Sequence, residues 1–137
     1  MASNLVIVER QSWQVRFVEG ADTPTSARTC WDELEGLLPS LRGRRFAAAF
    51  DVRAGWYRAC VRIVPDPTPG EAALPVTELP GGRYLRLRLA GDPPDLYNRL
   101  PAAFDALLAA AAHDASRPSL EYYRSHDVVD ALLPILT

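Results

Sequence analysis

The residue with the clearest chemical potential is Glu121, an acid placed among apolar and aromatic residues in the stretch Arg117–Arg124. If this stretch is a β-strand, Glu121 and Tyr123 share one face, because side chains alternate between the two faces. Leu120 and Tyr122 then share the other face, which suits packing under helices. Burying a polar group without a partner costs about 2–7 kcal/mol. Glu121 therefore points to water or serves a partner on the face away from the helices.

The other reactive side chains predict neither a catalytic triad nor a metal site. Ser125, His126 and Asp127 are consecutive, so they cannot converge as nucleophile, base and orienting acid. The two histidines, His113 and His126, are isolated from each other and form no metal-ligand constellation, so the sequence predicts no metal site. We expect no cofactor. Two isolated cysteines, Cys30 and Cys60, are typical of buried free thiols.

The composition favours a soluble globular protein of one domain. The chain has 137 residues, 48% hydrophobic and 23% charged, with a net charge of −2. All 15 basic residues are arginine, and no basic excess favours direct nucleic-acid binding. The sequence shows neither a signal segment nor an apolar run near 18 residues, so we expect a cytoplasmic protein that does not enter membranes.

The first half of the chain predicts strands, a helix and a hairpin. Residues 5–8 and 13–19 are rich in β-formers, and Thr25 or Ser26 could cap a helix over 26–38 with one apolar stripe. Residues 46–51 and 56–64 follow as two strands around a short turn. Residues 65–75 are a proline-rich, irregular connection.

The second half repeats this order. Residues 76–79 and 84–90 predict strands, and the second of these alternates strictly. Asp92 is the candidate cap of a helix that continues through the alanines at 109–112. A hairpin of 118–124 with 128–136 ends the chain. We therefore expect an α+β domain over 1–137, with lobe one at about 1–64 and lobe two at 76–137.

Several of these motifs resemble the GyrI-like small-molecule-binding family, the effector-binding domain of bacterial transcription activators. The motifs are Leu79–Tyr84 (LPGGRY), Gly91-Asp-Pro before the helix, Arg117–Tyr123 (RPSLEYY) and Leu133-Pro-Ile. The resemblance implies a tandem βαββ repeat with pseudo-twofold symmetry, antiparallel sheets and two helices. It also implies a ligand cleft between the lobes, with Glu121 facing it.

Aromatic and small residues are the expected walls of such a cleft. The alternation of their strands places Trp56 and Tyr84 on the faces away from the core. We therefore expect them, with Glu121 and Tyr123, to contact the ligand. Trp31, on the helix stripe, is a further candidate ligand contact, although an aromatic residue on an apolar stripe more often packs in the core. An offset of about seventy-two residues makes Ala49 the counterpart of Glu121 in lobe one. Trp13, Tyr97 and Ala47 are weaker candidates.

Arginines leave the charge preference of the cleft open. The alternation that selects Trp56 and Tyr84 also selects the arginines at positions 58, 62, 86 and 88. Arginines beside Glu121 would lower its pKa and favour neutral or anionic ligands.

The resemblance implies a stand-alone protein that binds an aromatic, drug-like and possibly cationic molecule, and acts by sequestration or sensing. The alternative is an enzyme that hydrolyses the cyclopropane of DNA-alkylating natural products, with Glu121 as general base and Tyr123 as acid. A third hypothesis is an interaction protein that inhibits gyrase.

Overall fold

Strands and helices follow one another through residues 4–136, which are the part of the chain that the computed structural model describes. In chain order the elements are β1 (Leu5–Arg10), β2 (Trp13–Ala21), α1 (Pro24–Gly36), β3 (Phe46–Asp51), β4 (Trp56–Arg62), α2 (Pro69–Ala72), β5 (Val76–Leu79), β6 (Gly82–Ala90), α3 (Asp95–Asn98), α4 (Leu100–Ala110), β7 (Ser119–Ser125) and β8 (Val128–Pro134). This confirms the predicted α+β class.

The chain divides into two compact units. Unit one is Ser12–Leu79, and unit two combines the segment that ends at Gln11 with the segment that begins at Pro80. Strands in unit one lie in the order β3-β4-β2-β5, and strands in unit two lie in the order β1-β6-β8-β7. The pairings within each unit are antiparallel.

Each unit contains a strand–helix–strand–strand order and receives one more strand from the other half of the chain. β1 pairs with β6, while β5 pairs with β2. The structure thus groups residues 5–10 with the second half and residues 76–79 with the first. That residues 1–137 form a single domain stays a prediction.

The first long helix begins earlier than the sequence predicts. Its N-cap is Thr23, whose hydroxyl accepts a hydrogen bond of 3.1 Å from the amide of Ser26. Pro24 is suited to the first helical position because it has no amide hydrogen to satisfy there. The predicted caps, Thr25 and Ser26, therefore lie inside α1, and the helix ends at Gly36.

The second helical region is divided into two parts. A single turn, α3, precedes α4, and neither has a side-chain cap. The predicted cap, Asp92, contributes only its backbone carbonyl, which accepts a hydrogen bond of 3.0 Å from Leu96.

The proline-rich connection contains a helical turn, α2, that the sequence did not predict. Thr68 caps it, and the carboxylate of Glu71 is buried against the guanidinium of Arg44 at 2.5 Å. Arg16 donates to the backbone carbonyls of Ala72 and Leu74 at 3.1 and 3.0 Å. These polar contacts fix a segment whose composition alone suggests an irregular loop.

Both cysteines are buried and free, as predicted. Burial raises the pKa of the Cys60 thiol to about 12. Among residues 4–136, no helix is long and apolar enough to span a membrane.

Candidate functional site

Strand register places Glu121 on the apolar, helix-bearing face of unit two. Glu121 pairs with Ala131 in β8, and Ala131 pairs with Leu87 in β6. The neighbouring residues of this face are also apolar: Leu85, Leu89, Val129 and Leu133. α4 lies against β6 and β8 and buries its own apolar stripe, which includes Phe104 and Leu107.

This placement corrects the expected orientation of β7. We expected Leu120 and Tyr122 under the helices, with Glu121 and Tyr123 on the opposite face. Direct contact between Tyr123 and Tyr97 of α3 shows instead that Glu121 and Tyr123 lie on the helix side. The alternation was right, but the choice of face was wrong because it depends on the pairing of β7 with β8.

Tyr123 contacts the carboxylate of Glu121, and Tyr97 contacts Tyr123. The hydroxyl of Tyr123 donates a hydrogen bond of 2.6 Å to Glu121 Oε1. The rings of Tyr123 and Tyr97 meet edge to face, with centroids 6.0 Å apart and planes at 87°. Glu121 and Tyr123 are half-buried, while Tyr97 is exposed at the end of the cluster. We call these three residues the acid–tyrosine cluster.

The acid–tyrosine cluster has the chemistry of a cation site. A carboxylate attracts positive charge more strongly where surrounding apolar groups reduce water screening. Aromatic faces add about 0.5–2 kcal/mol each when a cation lies over them. The phenol–carboxylate hydrogen bond also holds Glu121 in one orientation, which reduces the cost of ordering the site on binding.

Arg86 and Arg88 lie on the sheet face opposite Glu121. Arg86 pairs with Leu132, while Arg88 pairs with Asp130. The guanidinium of Arg88 forms two hydrogen bonds to the buried Asp130 carboxylate, at 2.7 and 3.1 Å. The structure therefore places these two arginines, which the sequence allowed as ion-pair partners of Glu121, on the far side of the sheet from it.

Tyr84 also lies on that opposite face. Its side chain is fully buried, and its hydroxyl donates a hydrogen bond of 2.6 Å to the carbonyl of Pro80. The guanidinium of Arg117 stacks 4.9 Å from its ring centroid. Burial raises the pKa of the Tyr84 hydroxyl. The structure does not bring Tyr84 together with Glu121, and its contacts are those of a packing residue.

In unit one, Trp56 and Ala49 share the face opposite the helix. Ala49 pairs with Arg58, and the Arg58 guanidinium lies 4.3 Å from the Trp56 ring centroid. The Nε of Arg58 donates to Glu19 at 2.7 Å. Ala49 is buried, whereas Trp56 is partly exposed. Arg62 is exposed at the end of β4.

Trp31 lies on the helix-bearing face of unit one. Its indole N–H donates a hydrogen bond of 2.7 Å to the hydroxyl of Tyr57. Its ring meets Phe46 edge to face, with centroids 6.0 Å apart. The sequence did not single out Tyr57 or Phe46, although the alternation of β4 places Tyr57 on the core side.

Comparison with known proteins shows similarity in fold. No family model matches the sequence, and no curated protein matches it. An integron cassette protein from the mobile metagenome of Vibrio cholerae, VCH_CASS2, aligns with a TM-score of 0.77 and 16% identity over 98% of this chain and 97% of its own. SAV2435 bound to tetraphenylphosphonium aligns with a TM-score of 0.64 and 13% identity over 96% and 93% of the two chains. A hydrolase from Listeria innocua aligns with a TM-score of 0.57 and 10% identity over 97% and 92%.

These identities establish the fold alone. The fold is consistent with the GyrI-like resemblance of the motifs, and membership of that family stays a prediction.

Proposed function

We propose that this protein binds a small aromatic cation at the acid–tyrosine cluster and acts by sequestration or sensing. The observation that carries the proposal is the position of Glu121. It is a half-buried carboxylate on an apolar sheet face, held by the Tyr123 hydroxyl at 2.6 Å.

The physical basis is the combination of charge and aromatic surface. A large organic cation is weakly hydrated, so it loses little on leaving water and gains from a carboxylate in an apolar surrounding. Tyr123 supplies ring surface beside that carboxylate, and Tyr97 extends this surface through its contact with Tyr123. The structural neighbour bound to tetraphenylphosphonium, an aromatic cation, supports this class of ligand for the fold.

Titration with two ions of the same shape and opposite charge tests the proposal. Tetraphenylphosphonium and tetraphenylborate both carry four phenyl rings, so a difference in their affinities reports charge. We expect the wild type to prefer the cation. Glu121→Gln keeps the size of the side chain and removes its charge, so it should weaken cation binding about 10- to 100-fold, the equivalent of a charged contact.

Glu33→Gln is the matched control, because Glu33 is exposed on α1 and its substitution changes the net charge equally. We expect its affinity for the cation to stay close to that of the wild type. Equal weakening by both substitutions would mean that only overall charge matters, and the proposed role of Glu121 would be wrong.

The alternative, hydrolysis, is favoured by one specific contact. The phenol of Tyr123 and the carboxylate of Glu121 form a hydrogen-bonded pair that could supply a general acid and a general base. A structural neighbour described as a hydrolase has the same fold. Under this hypothesis Tyr123→Phe would abolish turnover of a cyclopropane-bearing substrate while leaving its binding within a few-fold. If the protein instead protects DNA from the alkylating compound only in stoichiometric amounts and forms no hydrolysed product, sequestration is the function.

A further inference from the structure

An unprotected sheet edge lies at β1. Within the described residues β1 has one strand partner, β6, and it ends the strand order of unit two. Its second edge therefore presents backbone groups that could pair with another strand. Val6 and Ile7 are large apolar residues on this strand, and they are 41% and 60% exposed.

The edge at β5 differs in every protective feature. β5 has only four residues, carries Glu78, and is flanked by Pro75 and Pro80. Short length, charge and flanking proline are the usual means of preventing edge-to-edge pairing. β1 has six residues (LVIVER), with no proline and with both of its charges at one end. The contrast indicates that β1, unlike β5, is suited to accept a further strand.

We propose that β1 pairs antiparallel with β1 of a second copy of this chain, about a twofold axis at Ile7. A twofold axis perpendicular to the sheet requires an antiparallel pair in which each residue faces its mirror position. Ile7 then faces Ile7 of the partner subunit, and Val6 faces Val8. Glu9 faces Leu5, and Arg10 faces Asn4. The strand is complementary to itself in charge, because no like charges are directly opposed.

The pairing also continues an existing apolar row. Ile7 pairs with Leu85 of β6, which pairs with Leu133 of β8. A second β1 would extend this row across the axis and cover the exposed part of Ile7. An extended segment of a different protein would gain the backbone pairing without this internal complementarity, so a second copy is the occupant that the edge fits best.

Sedimentation equilibrium of the whole chain, from low micromolar to about 1 mM, tests the proposal. We expect a concentration-dependent dimer for the wild type. Ile7→Lys should shift the midpoint of dimerisation at least about tenfold upward, because it places two like charges at the axis. Val76→Lys makes the same change at the other edge, where Val76 is 48% exposed, and should leave the dimer intact.

A wild type that is monomeric throughout the range would overturn the proposal. Equal dimerisation of Ile7→Lys and wild type would also overturn it. Circular dichroism confirms that each variant is folded.

Cross-linking tests the register independently. Directly opposed residues on antiparallel strands have Cβ atoms about 4.5–5.5 Å apart. Ile7→Cys should therefore cross-link to its partner with a short bifunctional thiol reagent. Val52→Cys, 74% exposed beyond β3, is the control that should remain uncross-linked. A dimer that fails to cross-link through Ile7→Cys would show that the axis lies elsewhere and would overturn the proposed pairing.

Discussion

Substitution of Arg117 should destabilise the fold more than substitution of any exposed arginine. Its Nε donates to the carboxylate of Asp114 at 2.9 Å. Its Nη atoms donate to the backbone carbonyls of Gly81, Arg83 and Ile135, at 3.3, 3.0 and 2.9 Å. One guanidinium thus joins the turn before β6, the start of β6, the end of β8 and the loop before β7.

The magnitude follows from the bonds that would be lost. Arg117→Met keeps most of the side-chain length and removes all the donors. Hydrogen bonds to charged groups contribute about 1.5–3 kcal/mol each, and a buried acceptor left unpaired costs about 1–3 kcal/mol. Partial compensation reduces the sum, because the carbonyl of Arg83 also accepts from the amide of Ile135 at 3.1 Å. The Arg117–Asp114 ion pair adds little, because its two side chains stay 15% and 20% exposed. From the lost bonds to backbone carbonyls we expect a loss of about 3–5 kcal/mol.

Urea unfolding measures this loss, and the slope of the free energy with denaturant should stay constant. Thermal unfolding should show a decrease of about 10–17 °C for a chain of this size. Arg83→Met is the control, because Arg83 and Glu9 form an exposed ion pair at 3.0 Å that contributes at most about 1 kcal/mol. If the two arginine substitutions cost the same within about 1 kcal/mol, Arg117 is not the anchor that its contacts indicate.

Two further predictions concern the fold. Gly20→Ala should destabilise the protein by about 1–3 kcal/mol, because the new Cβ would lie 2.8 Å from Cys30 Sγ. Gly36→Ala has open space around it and should stabilise α1 by about 0.5–1 kcal/mol. Thermal unfolding measures both changes, and changes of the same sign would contradict the packing at these two glycines. Hydrogen bonds from Ser116 lower the pKa of Asp114 to about 2, so its stabilising effect is present above the ordinary pKa near 3.8 and is lost as pH falls towards 2. The difference in unfolding free energy between wild type and Asp114→Asn should therefore shrink by about 1 kcal/mol, after solvent screening, on acidification; a constant difference would contradict it.

Strict alternation was the most reliable signal in the sequence. In β6 it separates Leu85, Leu87 and Leu89 from the arginines between them, and the register confirms this separation. The pattern is reliable because one face of the strand is apolar and the other is charged, so only one orientation buries the apolar set.

β7 lacks such a contrast, and its face could not be predicted from local sequence. Leu120 and Tyr122 are as suitable for burial as Tyr123, so both orientations of the strand are chemically reasonable. The pairing of Glu121 with Ala131 in β8 decides which face Glu121 occupies, and the sequence of neither strand alone contains this information. That pairing is a non-local property of the fold.

The exchange of edge strands between the halves was missed for the same reason. The pattern of residues 5–10 predicts a strand, but it contains no information about which strand is its partner. β1 pairs with β6, whose residues follow more than seventy positions later. Similarly, Glu71 is buried only because Arg44 reaches it from a distant part of unit one.

Glu121 and two arginines lie on opposite faces of the sheet of unit two, so the charge preference of the ligand indicates which face binds it. Glu121 lies on one face, whereas Arg86 and Arg88 lie on the other, where Arg88 and Arg124 share the buried Asp130. Guanidinium groups across the sheet from Glu121 do not pair with it directly, so the two faces should favour ligands of opposite charge. Preference for tetraphenylphosphonium would therefore support binding at the acid–tyrosine cluster. Preference for tetraphenylborate that survives Glu121→Gln would point to the arginine face instead, and the cationic-ligand proposal would then be abandoned.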